Sequence, residues 1–158
     1  MKIVATIEAR MTSSRLPGKV LMEINGKPTL HYLVQRLKAV ESIDEIVLAT
    51  TTNDTDDVLI EFAKLEGIKY FRGSEDDVMG RVLGAAKSVD ADVIVEICGD
   101  CPLIDSNLID QLVETFKIND ADYVCNNLER TYPIGMDTQV FFTSALEKSE
   151  ELTNNPLD

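Results

Sequence analysis

Three cations near the amino terminus are the first residues of this 158-residue sequence whose types and spacing suggest chemistry. Arg10, Arg15 and Lys19 lie within ten positions of one another, among three hydroxyl side chains, with Gly18 directly before the lysine. Planar guanidinium groups, together with backbone N–H groups that a glycine leaves accessible, bind phosphate oxygens well. The segment predicts a site for a nucleoside triphosphate, and a solvated basic loop is the alternative.

The basic segment differs from two common nucleotide-binding motifs. Ser13 stands where a Walker A loop has glycine, and Val20 stands where that loop has serine or threonine. A dinucleotide-binding motif needs three glycines, whereas Gly18 is the single glycine of residues 8–19. Phosphate binding here would therefore depend on side-chain cations more than on a glycine-rich cradle.

A second candidate segment begins with Gly99 and Asp100 and continues through Pro102 to Asp105. It follows a strongly apolar run, and a carboxylate between a flexible glycine and a rigid proline is well placed to bind Mg2+ that bridges phosphate oxygens. Aspartate is also a common residue of Gly/Pro turns, so both interpretations of Asp100 stay open. Asp105 is interpreted as a helix cap.

Cys98 and Cys101 have the spacing of a CxxC motif. A zinc site needs four ligands, and neither Cys125 nor His31 lies at a partner spacing. A redox CxxC normally opens a helix, whereas Pro102 places the next helix later. We interpret the cysteines as core and turn residues, and His31 as a packed or surface residue of a helix.

The segments that must position these residues read as alternating strands and helices. Short, nearly continuous apolar runs predict strands that are buried on both faces. These runs cover residues 3–7, 45–50, 68–71, 92–98, 122–125 and 137–142. In such a sheet, ligands bind beyond the carboxyl ends of the strands, where both candidate segments lie.

Apolar residues recur at helical spacing between the strands and predict amphipathic helices. They cover residues 30–37, 58–62, 78–86 and 108–116, and a further helix begins at Thr143. Pro28 suits a first helical turn, Thr55 with Asp56 and Asp57 forms a cap, and residues 74–77 have capping-box spacing. The alternation predicts an α/β fold, with a parallel sheet that carries helices on both faces.

Charge is unevenly distributed along the chain, whose formal net charge is −13. Residues 1–40 carry seven basic and two acidic residues, a net +5, whereas residues 41–158 carry eight basic and 26 acidic residues, a net −18. An acidic chain repels nucleic acid and anionic lipid, so we expect neither as a partner and favour a small polyanion. Without a run of roughly 20 apolar residues, and with three cysteines that cannot all pair, the sequence predicts a cytoplasmic protein with reduced thiols.

Five segments together resemble the spore coat polysaccharide biosynthesis protein F family. They read ARMTSSRLPGK at 9–19, ATTTN at 49–53, FRGSEDDV at 71–78, GDCPLI at 99–104 and YPIGMD at 132–137. That family is similar to the cytidylyltransferases that make CMP-activated acid sugars, such as the acylneuraminate and 3-deoxy-manno-octulosonate enzymes. The resemblance implies a three-layer, Rossmann-like nucleotide-diphospho-sugar transferase fold with a seven-stranded mixed sheet.

The resemblance also implies roles for individual residues. Arg10, Arg15 and Lys19 would clamp the triphosphate of CTP and Asp100 would bind Mg2+, so that these four carry the catalysis. The wider nucleotide site is implied to contain Ala9, Arg10, Ser13, Arg15, Gly18, Lys19, Thr51, Asp54, Arg72, Asp77 and Arg81, and the acceptor-facing residues are Tyr132 and Asp137. The carboxylate of Asp77, or a backbone carbonyl, could accept a hydrogen bond from the exocyclic amine of cytosine. A homodimer is a further implication.

We therefore expect a Mg2+-dependent cytidylyltransferase that transfers CMP from CTP to a sugar acid, with release of pyrophosphate, for surface or spore coat polysaccharide. A glycosyltransferase of related fold is one alternative, although that class usually has an Asp-x-Asp turn and here Cys101 and Pro102 follow Asp100. A non-catalytic nucleotide-binding module is the other. The sequence stops inside what reads as a continuing element, so we expect a single nucleotidyltransferase domain over residues 1–158 that is truncated at its carboxyl end.

Overall fold

The computed structural model of the protein describes residues 1–153, in which strands and helices alternate. The strands are β1 (Ile3–Glu8), β2 (Glu23–Ile24), β3 (Lys27–Pro28), β4 (Glu45–Thr51), β5 (Lys69–Gly73), β6 (Val93–Cys98), β7 (Tyr123–Cys125) and β8 (Gln139–Phe142). The helices are α1 (Thr29–Leu37), α2 (Asp57–Glu66), α3 (Val78–Lys87), α4 (Ser106–Ile118) and α5 (Thr143–Leu152). Every strand and helix predicted from the sequence is present, and the strand ends differ from the predictions by at most two residues.

The main sheet has the strand order β5-β4-β1-β6-β8-β7. The first four strands of that order run parallel, β8 is antiparallel to β6, and β7 is antiparallel to β8. The predicted mostly parallel, mixed sheet is confirmed. Within the described residues the sheet has six strands, where the resemblance implied seven. The strands β2 and β3 pair with each other in a separate two-stranded sheet.

Helices cover both faces of the main sheet, which gives the three layers that the sequence predicts. The larger apolar core lies between the sheet and α1, α2 and α4, whose buried residues include Leu30, Leu33, Leu59, Ile109 and Val113. The smaller core lies under α3 and α5 and contains Val4, Val47, Val82, Ala85 and Ile94. Full burial of one such Leu, Ile or Val contributes roughly 1.5–3 kcal/mol, so these two layers hold the strand ends in place.

Two helix starts agree with the sequence analysis. The carboxylate of Asp105 accepts hydrogen bonds from the backbone N–H groups of Asn107 (2.8 Å) and Leu108 (3.4 Å), and so caps α4. Pro28 directly precedes α1. The longest helix, α4, has 13 residues, and no helix within residues 1–153 is long and apolar enough to cross a membrane.

Two predicted caps are wrong. Asp77, rather than Ser74, caps α3 by accepting a hydrogen bond from Gly80 N at 2.8 Å, because the Ser74 hydroxyl is used by the preceding turn. Before α2, the chain makes a 3-10 turn over residues 54–56, and Asp56 then precedes the helix without a capping hydrogen bond. The Asp56 side chain is turned away from α2 because other donors claim its oxygens.

The β2–β3 hairpin was missed, although its signal is in the sequence. Asn25 and Gly26 connect the two short strands with φ angles of 50° and 75°. An Asn-Gly pair favours such positive φ values and is typical of a two-residue hairpin turn. The hairpin lies between the basic segment and α1, and the hydroxyl of Tyr32 on α1 donates to Ile24 O at 2.6 Å.

Candidate functional site

A cavity of about 290 Å³ lies at the carboxyl ends of β1 and β6, where the sequence places both candidate segments. Its lining residues are Glu8, Ala9, Arg10, Ser13, Ser14, Arg15, Lys19, Val20, Val78, Arg81, Cys98, Gly99 and Asp100. The fold thus brings together the three predicted cations, the predicted metal ligand and Arg81 of α3. A similar hollow of about 310 Å³ lies at the opposite edge of the sheet, beside the amino ends of β4 and β5, and contains none of these residues.

The basic segment is closed by its own backbone. Gly18 adopts a φ of 73°, and its N–H donates to Met11 O at 2.9 Å, which bends residues 11–18 into a loop. The next residues, Lys19–Leu21, form a 3-10 turn. We call residues 9–19 the phosphate loop, because its cations face the cavity.

Lys19 and Asp100 form an ion pair across the cavity. Lys19 extends from the end of the phosphate loop, and Asp100 follows β6 by two residues, so the pair joins the two candidate segments. Both side chains are partly exposed, with 27% and 44% of their surface accessible. An exposed pair of this kind is weak, so both groups can exchange partners when a charged ligand arrives.

Arg10 is held by Glu75, which lies between β5 and α3. The Arg10 guanidinium donates to one Glu75 oxygen at 2.9 Å, the Thr12 hydroxyl donates to the same oxygen, and Asn53 Nδ2 donates to the other at 2.6 Å. The hydrogen bonds from Thr12 and Asn53, with the charge of Arg10, lower the pKa of Glu75. The carboxylate therefore stays ionised and occupies positions where phosphate oxygens could bind.

Arg15 differs from the other two cations. Its side chain is exposed, and it has no hydrogen bond or ion pair to any residue in the part of the chain that the structure describes. Ser13 and Ser14 line the cavity beside it. A guanidinium that supports no internal contact is available for a ligand, and phosphate is a ligand that guanidinium groups bind well.

Arg72 stabilises the loop that follows β4. Its Nε donates to Thr51 O and its Nη2 to Asn53 O, both at 2.8 Å, and Nη1 pairs with Asp57 at 2.6 Å. We call residues 51–54 the β4 loop. Thr51 and Asp54 of the predicted nucleotide site lie in this loop, but Arg72 itself is occupied by the backbone, so a direct contact with the nucleotide stays a prediction.

Asp77 and Arg81 stand at the start of α3. Asp77 uses one carboxylate oxygen as the helix cap, so its predicted contact with cytosine depends on the other oxygen. Arg81 is only 4% exposed and donates to the backbone oxygens of Ser74 and Glu75, while its Nε has no partner in the described residues. Burial lowers the pKa of Arg81, with the charge of Glu8 acting in the opposite direction.

A pair of carboxyl groups was missed, formed by Glu8, which lines the cavity, and Glu96. Glu96 of β6 lies opposite Thr6 of β1, so its side chain shares a sheet face with Glu8, and Glu8 lies 3.9 Å from an Arg81 nitrogen. Burial, together with the hydrogen bond and charge of Glu8, raises the pKa of Glu96 to about 9. Glu96 is therefore protonated at neutral pH. A glutamate inside an apolar strand was the signal that could have found it.

Tyr132 and Asp137, the predicted acceptor-facing residues, lie in the loop between β7 and β8. Neither lines the cavity. Asp137 forms a two-pronged ion pair with Arg130, at 3.1 and 3.2 Å, and Tyr132 is exposed. The negative charges of Asp100 and Asp137 both act on the thiol of Cys101, which places this loop near the metal-ligand candidate.

The cysteines occupy two different environments. Cys101 is a buried turn residue, as predicted, and burial raises the pKa of its thiol to about 11. Cys98 was expected to be a core or turn residue, but it ends β6 and part of the residue is exposed in the cavity. Burial on the sulfur side, together with the charge of Glu8, raises the pKa of its thiol to about 12. Neither thiol is an activated nucleophile at neutral pH. His31 packs on α1 with its Nδ1 2.5 Å from Glu66, as predicted for a helix residue.

The cavity, the phosphate loop and the three-layer fold define a nucleotidyltransferase-like protein. The sequence model of the family described as Cytidylyltransferase matches residues 4–155. The chain belongs to this cytidylyltransferase family, which confirms the resemblance seen in the sequence.

Curated relatives agree with that assignment. The chain is 35% identical to the spore coat polysaccharide biosynthesis protein SpsF of Bacillus subtilis, over 77% of this chain and 52% of SpsF. It is 36% identical to the 3-deoxy-manno-octulosonate cytidylyltransferase of Bdellovibrio bacteriovorus, over 73% of this chain and 46% of that enzyme. The chain thus spans about half the length of these relatives.

A solved structure gives the same fold. A cytidylyltransferase from Leptospira borgpetersenii is 39% identical, with a TM-score of 0.94, and the match covers 99% of this chain and 66% of that chain. The α/β nucleotide-diphospho-sugar transferase fold implied by the sequence is therefore confirmed.

Proposed function

We propose that the protein transfers CMP from CTP to a sugar acid and releases pyrophosphate. One observation carries the proposal: three cations from one loop share a cavity with the carboxylate of Asp100 at the carboxyl ends of parallel strands. Similarity to a 3-deoxy-manno-octulosonate cytidylyltransferase supports a sugar-acid acceptor, and similarity to SpsF supports a role in surface polysaccharide synthesis. A cytoplasmic location and a homodimer remain predictions from the sequence.

In the proposed reaction, an acceptor hydroxyl attacks the α-phosphorus of CTP in line with the leaving group. A bond forms between that oxygen and phosphorus, the bond from the α-phosphorus to its bridging oxygen breaks, pyrophosphate leaves, and the hydroxyl proton passes to solvent. Arg10, Arg15 and Lys19 bind the triphosphate and stabilise the charge that grows on the leaving group. No protein nucleophile is needed, which agrees with the unreactive thiols of the cavity.

Binding of the triphosphate requires the cations to exchange partners. Arg10 would leave Glu75 and Lys19 would leave Asp100, whereas Arg15 has no such contact to break. Both existing ion pairs are partly exposed, so each exchange costs little. Arg15 is therefore the cation whose charge is most directly available to CTP.

Asp100 fits a magnesium site. Mg2+ prefers oxygen ligands and is usually held by one or two carboxylates together with substrate phosphates, so a complete cluster of protein ligands is not required. Within residues 1–153 no group of three or more His, Cys, Asp or Glu side chains could hold a metal ion, so a magnesium site here would depend on Asp100 together with the phosphates. When bound there, Mg2+ would neutralise charge on the phosphates.

Release of pyrophosphate tests the proposed function. A longer form of the protein, which includes the length found in its relatives, is incubated with Mg2+, CTP and a panel of sugar acids, with UTP in place of CTP as the matched control. We expect pyrophosphate only when CTP and one class of sugar acid are both present. A protein that binds CTP but releases no pyrophosphate with any acceptor would instead be a binding module, and transfer from a nucleotide sugar would identify a glycosyltransferase.

A further inference from the structure

Asp56 carries a carboxylate that is completely buried, with an exposed fraction of 0%. One of its oxygens accepts a hydrogen bond from Met11 N at 2.8 Å. The other oxygen accepts from the Thr50 hydroxyl (2.9 Å), from Thr51 N (3.1 Å) and from the Thr51 hydroxyl (2.5 Å). Four donors therefore converge on one side chain.

The four donors belong to two separate parts of the candidate site. Met11 is in the phosphate loop after β1, whereas Thr50 and Thr51 end β4 and lead into the β4 loop. Asp56 follows β4 in the chain but makes no capping bond to the helix that it precedes. Its side chain is used instead to join two neighbouring loops at the carboxyl edge of the sheet.

The Asp56 carboxylate is ionised despite its burial. Burial alone would raise its pKa, but the hydrogen bonds from Thr51, Met11 and Thr50 together hold the pKa below its usual value. A buried charge that is hydrogen-bonded from several directions is costly to displace, because each freed donor and the charge itself would lack a partner. The contact between the two loops is thus a fixed part of the fold.

Glu75 joins the same two loops in a different way. It receives hydrogen bonds from Arg10 and Thr12 of the phosphate loop and from Asn53 of the β4 loop, all through their side chains. A ligand in the site would compete with Glu75 for hydrogen bonds from those side chains, and Glu75 is partly exposed. Asp56 instead binds Met11 through its backbone and two buried threonines, so its contacts can persist when a nucleotide is bound.

We propose that Asp56 is a positioning residue that fixes the phosphate loop relative to the β4 loop, so that both can bind opposite ends of one CTP molecule. The proposal rests on the proposed function, in which the phosphate loop holds the triphosphate, and on the implied place of Thr51 and Asp54 of the β4 loop in the wider nucleotide site. Two linked binding groups gain affinity for a linked ligand only when their spacing matches it. Asp56 sets that spacing without contact to the ligand.

The test compares the binding of intact CTP with the binding of cytidine and of pyrophosphate, which represent its nucleoside end and its phosphate end. Binding of CTP, cytidine and pyrophosphate is measured by calorimetry, in Mg2+, for the wild-type chain and for Asp56→Asn. We expect CTP affinity to fall about tenfold or more in the variant, because the loops no longer share one fixed geometry, while cytidine and pyrophosphate each change by about twofold at most. An equal loss for all three ligands would overturn the proposal, since it would mean that Asp56 only stabilises the fold.

Asp110→Asn is the matched control. The carboxylate of Asp110 on α4 also ties down a loop, by accepting from the backbone N–H groups of Glu41 (3.2 Å) and Ser42 (2.9 Å), but it lies away from the cavity. We expect this variant to bind all three ligands like the wild type. A selective loss of CTP in Asp110→Asn as large as that in Asp56→Asn would contradict the proposal.

Thr50→Val is a second variant that tests the same proposal if Asp56→Asn fails to fold. It removes one buried donor of the network while keeping the side-chain shape. We expect a smaller selective loss for CTP, about threefold, with cytidine and pyrophosphate unchanged; no selective loss would overturn the proposal. Failure of the proposed function would be seen separately, as wild-type protein that binds CTP but releases no pyrophosphate in the presence of acceptor.

Discussion

The phosphate loop and the loop between β7 and β8 lie at the same edge of the sheet but are held very differently. Carboxylates from three other segments, Asp56, Glu75 and Asp100, contact the phosphate loop. The loop over residues 126–137 is held mainly by its own residues, as in the Arg130–Asp137 pair and the 2.8 Å hydrogen bond from Asn126 Nδ2 to Met136 O. Within this loop, Leu128 and Ile134 are 89% and 86% exposed.

This difference in how the two loops are held predicts that they recognise their ligands in different ways. A loop whose backbone is fixed before binding loses little conformational freedom when a ligand arrives, so we expect the phosphate loop to be preorganised for its ligand. Because the loop over residues 126–137 is held mainly by its own residues, we expect it to order around an acceptor that binds there. We therefore expect changes near the phosphate loop to act on CTP, and changes near Asp137 to act on the acceptor.

The largest effect is expected for Asp100→Asn, which keeps the side-chain shape and removes its charge. Without metal, CTP binding should be unchanged or tighter, because Lys19 loses its internal partner and one anion is removed. The gain in affinity on adding Mg2+ should disappear, and turnover of the longer protein should fall about 100-fold or more. Calorimetry with and without Mg2+ measures the first two effects.

Asp105→Asn is the control for the metal site. Asp105 caps α4 five residues beyond Asp100, so its change should cost about 1 kcal/mol of stability at most and leave the response to Mg2+ intact. Full retention of the Mg2+ enhancement in Asp100→Asn would show that the carboxylate is only a turn residue.

The second prediction concerns Glu96, which lies on β6 between the two regions. Its pKa is raised from 4.5 to about 9, so the folded state binds a proton that the unfolded state loses above pH 4.5. The free energy of unfolding should therefore fall as the pH rises from 4.5 to about 9. Glu96→Gln should remove that dependence and stabilise the protein by about 2 kcal/mol at pH 8, with little effect near pH 5.

Urea unfolding of wild type and Glu96→Gln at pH 5, 6.5 and 8 measures the effect. The difference between the two free energies of unfolding should grow with pH. If the free energy of unfolding changed with pH in the same way for wild type and Glu96→Gln, Glu96 would be ionised in the folded protein. Its carboxyl pair with Glu8 would then not share a proton.

A smaller effect, confined to the acceptor side, is expected for Asp137→Asn. Its ion pair with Arg130 is partly exposed, so stability should change by less than about 0.5 kcal/mol. CTP affinity should stay within about twofold, while the KM for the sugar acid in the longer protein should rise several-fold. Loss of the Mg2+ response in this variant would identify Asp137 as a metal ligand. The loop over residues 126–137 would then act on CTP as well as on the acceptor.

The smallest effect is expected for the thiols. Replacing Cys98 and Cys101 together by Ala should leave CTP affinity within about twofold, because their pKa values of about 12 and 11 exclude thiolates at neutral pH. Elemental analysis of the purified protein should find no stoichiometric zinc. Bound zinc, or a large loss of CTP affinity, would show that these residues take part in the site.

Much of this architecture was predictable because it depends on local sequence patterns. Apolar periodicity found the strands and helices, and the rule that ligands bind at the carboxyl ends of parallel strands placed the phosphate loop and Asp100 together. Asp56, Glu75 and Glu96 were not predicted, since their roles depend on neighbours 22 to 88 residues away in the chain, or on the opposite strand. Asp56 was misread as a helix cap because its local sequence suits that role equally well.

Calorimetry of Arg15→Ala with CTP and with cytidine tests most directly whether the basic segment is a triphosphate site. Arg15 is exposed and makes no hydrogen bond or ion pair with any described residue, so its removal should leave the free energy of unfolding unchanged. The account predicts that CTP affinity falls about tenfold or more while cytidine affinity does not change, since a charge-assisted contact to phosphate contributes about 1.5–3 kcal/mol. Equal losses for CTP and cytidine, or no loss for either, would contradict it.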